Sequence, residues 1–159
     1  MLTKKRSQKI KCYVKHFCNE VYTDFPEFKN KVFPKVRLYR EYGYTTIDDN
    51  SPLKGMEDLT KQVPNIENSA IIEGFFDREN EVIEIYGITK ETLDALRHTV
   101  RHECLHFILY ENGLPYKDED SLFLTMAIKY NANPYHLLKD HSFREYLNSL
   151  WEDHKRGRL

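Results

Sequence analysis

Cysteine is scarce in this 159-residue chain, with Cys12, Cys18 and Cys104 as the whole supply. Three thiols cannot all pair, and none stands in a C-x-x-C, which argues against both a disulfide framework and a cysteine-built structural zinc site. A reducing, cytoplasmic setting is the expectation. No apolar run approaches the roughly 18 residues that a membrane span requires, so no membrane partner is expected. The N-terminal stretch MLTKKRSQKIKCYVKHFCNE is basic but lacks the apolar segment and small-residue cleavage site of a secretory signal. Internal repeats and low-complexity segments are absent too. Charge of one sign is not in excess, the net value being -1, and nothing in that balance demands a charged partner.

What the chain does have is 31% charged and 40% hydrophobic residues, the profile of a globular protein. A length of 159 residues suits one domain over 1–159 that hides most of its apolar surface. Both ends are basic, with Lys4, Lys5, Arg6, Lys9, Lys11 and Lys15 at one and Lys155, Arg156 and Arg158 at the other. Solvated termini are the simpler reading, and a weak nucleic-acid contact is the sharper one.

Periodicity organises the chain. From Ile10 onward, Ile10, Tyr13, Val14, Phe17 and Val21 recur at the spacing of a helix with one buried face, ended by Asp24-Phe25-Pro26. Residues 32–40, VFPKVRLYR, set Val36 and Leu38 against Arg37 and Tyr39, which predicts a half-covered strand. The stretch from about Tyr42 to Glu67 has no clean period and reads as a long connection. AIIEGFFDRENEVIEIYG places two strand-like runs around Asp77-Arg78-Glu79-Asn80 and predicts a β-hairpin ended by Gly87. Thr89 is the expected cap of a helix through Leu93, Leu96, Val100, Cys104 and Phe107, stopped at Asn112-Gly113 ahead of Pro115. A further helix is expected from about Asp120 through Ala132, with Phe123, Ala127 and Tyr130 on one side. Ser142-Phe143-Arg144-Glu145 matches a capping box for a last one. Strands early and helices late predict an α+β fold: a small antiparallel or mixed sheet, an N-terminal helix, a central helix and C-terminal helices.

The central helix carries the chemistry. His102-Glu103-Cys104-Leu105-His106 is an H-E-x-x-H pentapeptide. On a helix, residues four apart stack on one face, so His102 and His106 can meet one ion. Glu103 lies about 100° round the helix from His102 and so reaches a water on that ion and not the ion itself. The implied cofactor is Zn2+, which takes His nitrogens at about 2.0–2.1 Å and, in catalytic sites, keeps one position open. Glu103 would then be the general base of a peptide-bond hydrolysis, with a protein or peptide as substrate. Were the motif incidental, the histidines would sit on a solvated face; yet Leu105 and Leu109 share their side while Val100, Cys104 and Phe107 occupy the other, and buried imidazoles need partners.

A third ligand must come from elsewhere. The run Tyr116-Lys117-Asp118-Glu119-Asp120 follows the helix stop, and a connection of about six residues can span about 20 Å, enough to return to His106. Glu119 is favoured because it would share a helical face with Phe123; Asp118 and Asp120 stay open. His98 extends the histidine face, but it lies about 12 Å along the axis from His106 and cannot share an ion with it. For a group that assists the developing oxyanion, Tyr116, Tyr130, His136 and His141 are all chemically able.

From Ala70 to Ala132 the chain resembles the SprT-like zinc metallopeptidases, small gluzincin-type domains. The likeness is carried by Gly74 and EVIEIY in the hairpin, by TVRHECLHFILY, and by GLPYKDEDSLF. The resemblance implies a zincin-like fold, His102 and His106 as ligands, Glu103 as base, and a strand near Glu81 to Ile85 that pairs with an extended substrate along its edge. Two features depart from that family: only carboxylates are offered where many members supply a third histidine, and no Cys-rich ribbon follows. Phage and mobile-element peptidases that cleave repressors share the hairpin and the carboxylate, but usually carry a small residue where Leu105 stands. The alternative from another class is a non-catalytic protein- or nucleic-acid-binding module with an incidental or structural ion.

Overall fold

The computed structural model of the chain describes residues 2–46 and 69–133. The capping box at Ser142, His136, His141 and the C-terminal basic residues lie outside the described residues, as does most of the 42–67 connection.

The first helix, α1 (Leu2–Asp24), buries most of the predicted stripe: Ile10, Val14, Phe17 and Val21 are each at most 3% exposed, Tyr13 is half-buried at its margin, and Cys18 joins the buried face. It begins well before that stripe, because Lys, Arg and Gln are good helix formers and Arg6 ties the first turns down by donating to the Glu91 carbonyl at 2.7 Å. Strand β1 (Lys35–Leu38) is shorter than the predicted run. Pro34 has no N–H to give a ladder, so the strand starts after it.

Two strands fall where the sequence patterning differs from the outcome. β2 (Gly43–Thr46) pairs antiparallel with β3 (Ser69–Ile72), Gly43 opposite Ile72. The sequence GYTT has no alternation, and its partner lies more than twenty residues away, so only the pairing reveals it. The single run AIIEGFF is in fact split: β3 ends before Glu73, and β4 (Gly74–Asp77) joins a different sheet.

That second sheet is mixed, in the order β1-β5-β4, with β5 (Val82–Ile85) parallel to β1 and antiparallel to β4. The hairpin is as expected. Asp77 forms its turn by accepting from the backbone N–H of Glu79 at 3.1 Å and of Asn80 at 3.2 Å, the local bonding that makes Asp a turn residue. The edge-pairing strand expected at Glu81 to Ile85 is corrected: β5 has a hydrogen-bonded neighbour on each side, so its edges are taken. Among the described residues, β4 is the strand of this sheet that borders the central helix with one ladder only.

That central helix, α2 (Leu93–Glu111), is capped by Thr92, whose hydroxyl accepts from the Ala95 N–H at 3.1 Å. Thr89, the predicted cap, instead donates to the Arg40 carbonyl at 2.9 Å. The stop is as read: Gly113 takes a φ of 67° and Leu114 N–H closes onto the Leu109 carbonyl at 2.9 Å, a left-handed helix end that glycine tolerates. α1, β4, β5 and a short helix, α3 (Ser121–Lys129), all pack on α2. Leu105, Ile108 and Leu109 are wholly buried as a result. The architecture is α+β, with three helices and a small mixed sheet among the described residues; no helix there is long and apolar enough to cross a membrane.

Candidate metal centre

Burial of α2 on several sides draws its polar residues inside. His102 is 4% exposed, Glu103 7% and His106 8%. Buried imidazoles must be hydrogen-bonded, and both are, through backbone. The Nδ1 of His102 lies 2.8 Å from the Ala132 carbonyl, and the Nδ1 of His106 bonds the Tyr116 carbonyl. A carbonyl only accepts, so each Nδ1 carries the proton. In the neutral ring each Nε2 then presents a lone pair.

Those lone pairs converge. The two Nε2 atoms are 3.1 Å apart, and Asp118 Oδ1 stands 3.1 Å from that of His102 and 3.2 Å from that of His106. A proton can serve one of these contacts at a time; a divalent cation serves all three. Ligands about 2.0–2.1 Å from a tetrahedral ion lie about 3.3–3.4 Å from one another, so this triangle needs only a small spreading to accept one. His102, His106 and Asp118 form a group that could hold a metal ion.

Asp118, and not the favoured Glu119, is the carboxylate brought to the histidines, and Glu119 is exposed. Glu119 does not share a helix with Phe123. The helix begins later, at Ser121, and residues 117–120 form a turn in which Asp120 N–H meets the Lys117 carbonyl at 3.0 Å and the Asp120 carboxylate accepts from Lys117 N–H at 2.8 Å. Adjacent turn positions point apart, so Asp118 faces inward and Glu119 outward.

Packing holds the rings. Phe123, wholly buried, stacks on His106 with centroids 4.1 Å apart and planes within 8°, and meets His102 edge-on at 5.0 Å. Tyr116 packs against Phe76 of β4 and Tyr110 of α2, and its hydroxyl accepts from Arg78 at 3.0 Å. The loop that orients His106 is thus pinned to the hairpin. Neither device has a sequence signal: Phe123 reads as ordinary core, and a backbone carbonyl leaves no mark on residue identity.

Glu103 points to the neighbouring sector. Burial pushes its carboxyl up to about 7, His102 pulls it back, and the Asp118 charge adds to the rise. Among the described residues its carboxylate has no hydrogen-bond partner, in contrast to the rings beside it. Over it passes the backbone of Gly74, where a Cβ would sit 2.7 Å from Glu103 Oε1 and 2.7 Å from Thr99 Cγ2. Glycine is what lets β4 run this close.

The other candidates fall outside the cluster. His98 Nδ1 meets the Asn131 carbonyl at 2.8 Å. The Tyr130 hydroxyl donates to Asp24 at 2.5 Å, which removes it from the oxyanion role. Cys104 is wholly buried against α1, its thiol pushed well up by burial first and then by Cys18, so it is no ligand. Compared with protein-family models, with curated proteins and with solved structures, the chain matches none of them, and the meaning of this centre rests on its own geometry.

Proposed function

We propose that the chain is a zinc-dependent metallopeptidase of zincin-like, SprT-like type, with His102, His106 and Asp118 as ligands and Glu103 as general base. One observation carries the reading: two imidazole lone pairs and a carboxylate oxygen within 3.2 Å of one another, with an otherwise unbonded acid in the next sector of the same helix. Zinc held there supplies Lewis acidity, lowering the pKa of a water to about 7 and polarising a carbonyl. Two nitrogens and a carboxylate oxygen are the donor set that suits zinc in hydrolytic sites. Glu103 takes the proton of the attacking water and returns it to the leaving amine.

β4 supports a peptide substrate. Its free side, among the described residues, offers backbone donors and acceptors to an extended chain, and Gly74 at its start sits against Glu103. Strand addition there would lay a peptide bond beside the base. Gly74→Ala is expected to lower kcat/KM about 100-fold with zinc content unchanged, because its Cβ displaces the base by roughly 1 Å. A variant as active as the wild type would remove β4 from this role.

The test of the function as a whole is direct. The purified protein should hold about one zinc per chain and cleave internally quenched peptides, losing activity to a chelator and regaining it with zinc. A protein that neither retains nor takes up zinc would overturn the proposal. A second reading, a polyanion-contacting module, has one observation behind it: α1 has six Lys or Arg and no acid before Glu20, and Arg97 and Arg101 of α2 flank Tyr13 beside it. Metal content separates the two readings.

A further inference from the structure

His98 sits one helical turn before His102 and is left over by the proposed chemistry. Its ring is nonetheless held at both nitrogens. Nδ1 donates to the Asn131 carbonyl at 2.8 Å, and Nε2 stands 3.4 Å from the Asp94 carboxylate one turn further back. Arg101 adds a second, longer donation to the same carbonyl at 3.4 Å.

The receiving segment is unusual. α3 ends in a turn where Asn131 has a φ of 54°, Ala132 N–H reaches back to the Ala127 carbonyl at 2.8 Å, and Asn133 has a φ of 47°. Left-handed backbone at residues other than glycine persists where the surroundings hold it in place, although asparagine accepts it more readily than most. Here two neighbouring carbonyls are gripped by two histidines on α2: Asn131 by His98, and Ala132 by His102. The second grip is the one that orients a metal ligand. The Asn131 carbonyl lies in the rigid peptide plane that ends at the Ala132 Cα, and that plane is also held by Ala132 N–H on the Ala127 carbonyl at 2.8 Å; the Ala132 carbonyl is hinged to it by the φ and ψ of Ala132 alone, so fixing the first carbonyl restricts where the second can lie.

We propose that His98 is a positioning residue for the metal centre: by holding the Asn131 carbonyl it places the Ala132 carbonyl, which sets the ring orientation and the Nε2 lone pair of His102. The inference rests on the metal reading above. It assigns to His98 a role in metal affinity without contact with the ion, with Asp94 bracing the ring from the far side.

The experiment compares wild type, His98→Phe and His98→Asn for zinc affinity by chelator competition and for ligand geometry by the visible absorption of the Co(II)-loaded protein. Phe keeps the ring but removes the donor; the Asn amide restores a donor near the place of Nδ1. His98→Phe should bind zinc roughly tenfold more weakly, at the low end of the about 10–100-fold found for groups that hold a ligand directly, and its Co(II) bands should shift. His98→Asn should recover most of both. If His98→Phe does not fold, His98→Ala takes its place with the same readouts. Wild-type affinity and an unshifted spectrum in the donor-less variant would overturn the inference, as would a His98→Asn protein no tighter than His98→Phe. A wild type that binds neither ion would instead remove the metal reading beneath it.

Discussion

Glu103→Gln should keep its zinc and lose about 100- to 10,000-fold in kcat/KM, the usual contribution of a positioned base, equivalent to about 3–5 kcal/mol of barrier. Gln has the same shape, so the Gly74 contact and the group of His102, His106 and Asp118 survive while the proton acceptor is gone. Retained cleavage in a zinc-loaded Glu103→Gln protein would remove the assigned base. The same substitution has a second, metal-free consequence. Burial raises the Glu103 carboxyl to about 7, above its unfolded value near 4.3, so the folded state prefers the protonated form. The unfolded chain ionises first; folding stability therefore falls as pH rises from about 4 to 7 and stays lower above that. Gln cannot ionise and escapes the loss. Stripped of metal, the variant should exceed wild type in stability at pH 8 by up to about 3 kcal/mol, with the difference closing near pH 4. Urea denaturation of both proteins at the two pH values measures it, and a gap that is the same at each would show that Glu103 ionises freely.

Asp118→Ala is expected to weaken zinc binding by more than the about 100-fold at which losses of mere supporting groups end, since it removes a ligand and leaves two imidazoles alone. Glu119→Ala should change metal affinity little, because its side chain is exposed on the far side of the turn. The pair decides between two neighbouring carboxylates that look alike in sequence. Equal losses in both, or a loss in Glu119→Ala alone, would contradict the geometry of the 117–120 turn. Competition with a chromogenic chelator, run with circular dichroism to confirm folding, is sufficient.

Where a residue's role depends on its own element, the sequence was readable. The H-E-x-x-H spacing puts two rings on one helical face whatever surrounds it, and Gly113 stops the helix through its own backbone freedom. The stripe from Ile10 to Val21 and the Asp77 turn are local in the same sense. Where the role depends on a distant partner, patterning was silent or misled. Glu119 looked better than Asp118 because helical periodicity was extended across a turn. Thr89 looked like a cap because its bond to Arg40, 49 residues away, leaves no local trace. The strand at Gly43–Thr46 exists through its ladder with Ser69–Ile72, and the central place of β5 follows from β1 joining it in parallel.

The sequence by itself determined that two imidazoles share a helical face with an acid between them, and the α+β make-up of the chain, because helical geometry and side-chain chemistry act over four or five residues. Only the tertiary structure decided which carboxylate completes the triangle, which strand lies beside Glu103, and which carbonyls turn the rings. Those choices are made by backbone atoms that every residue carries, brought together by a turn at 117–120, a glycine at 74 and the turn at 131 that follows α3, and a carbonyl's direction is a property of the fold.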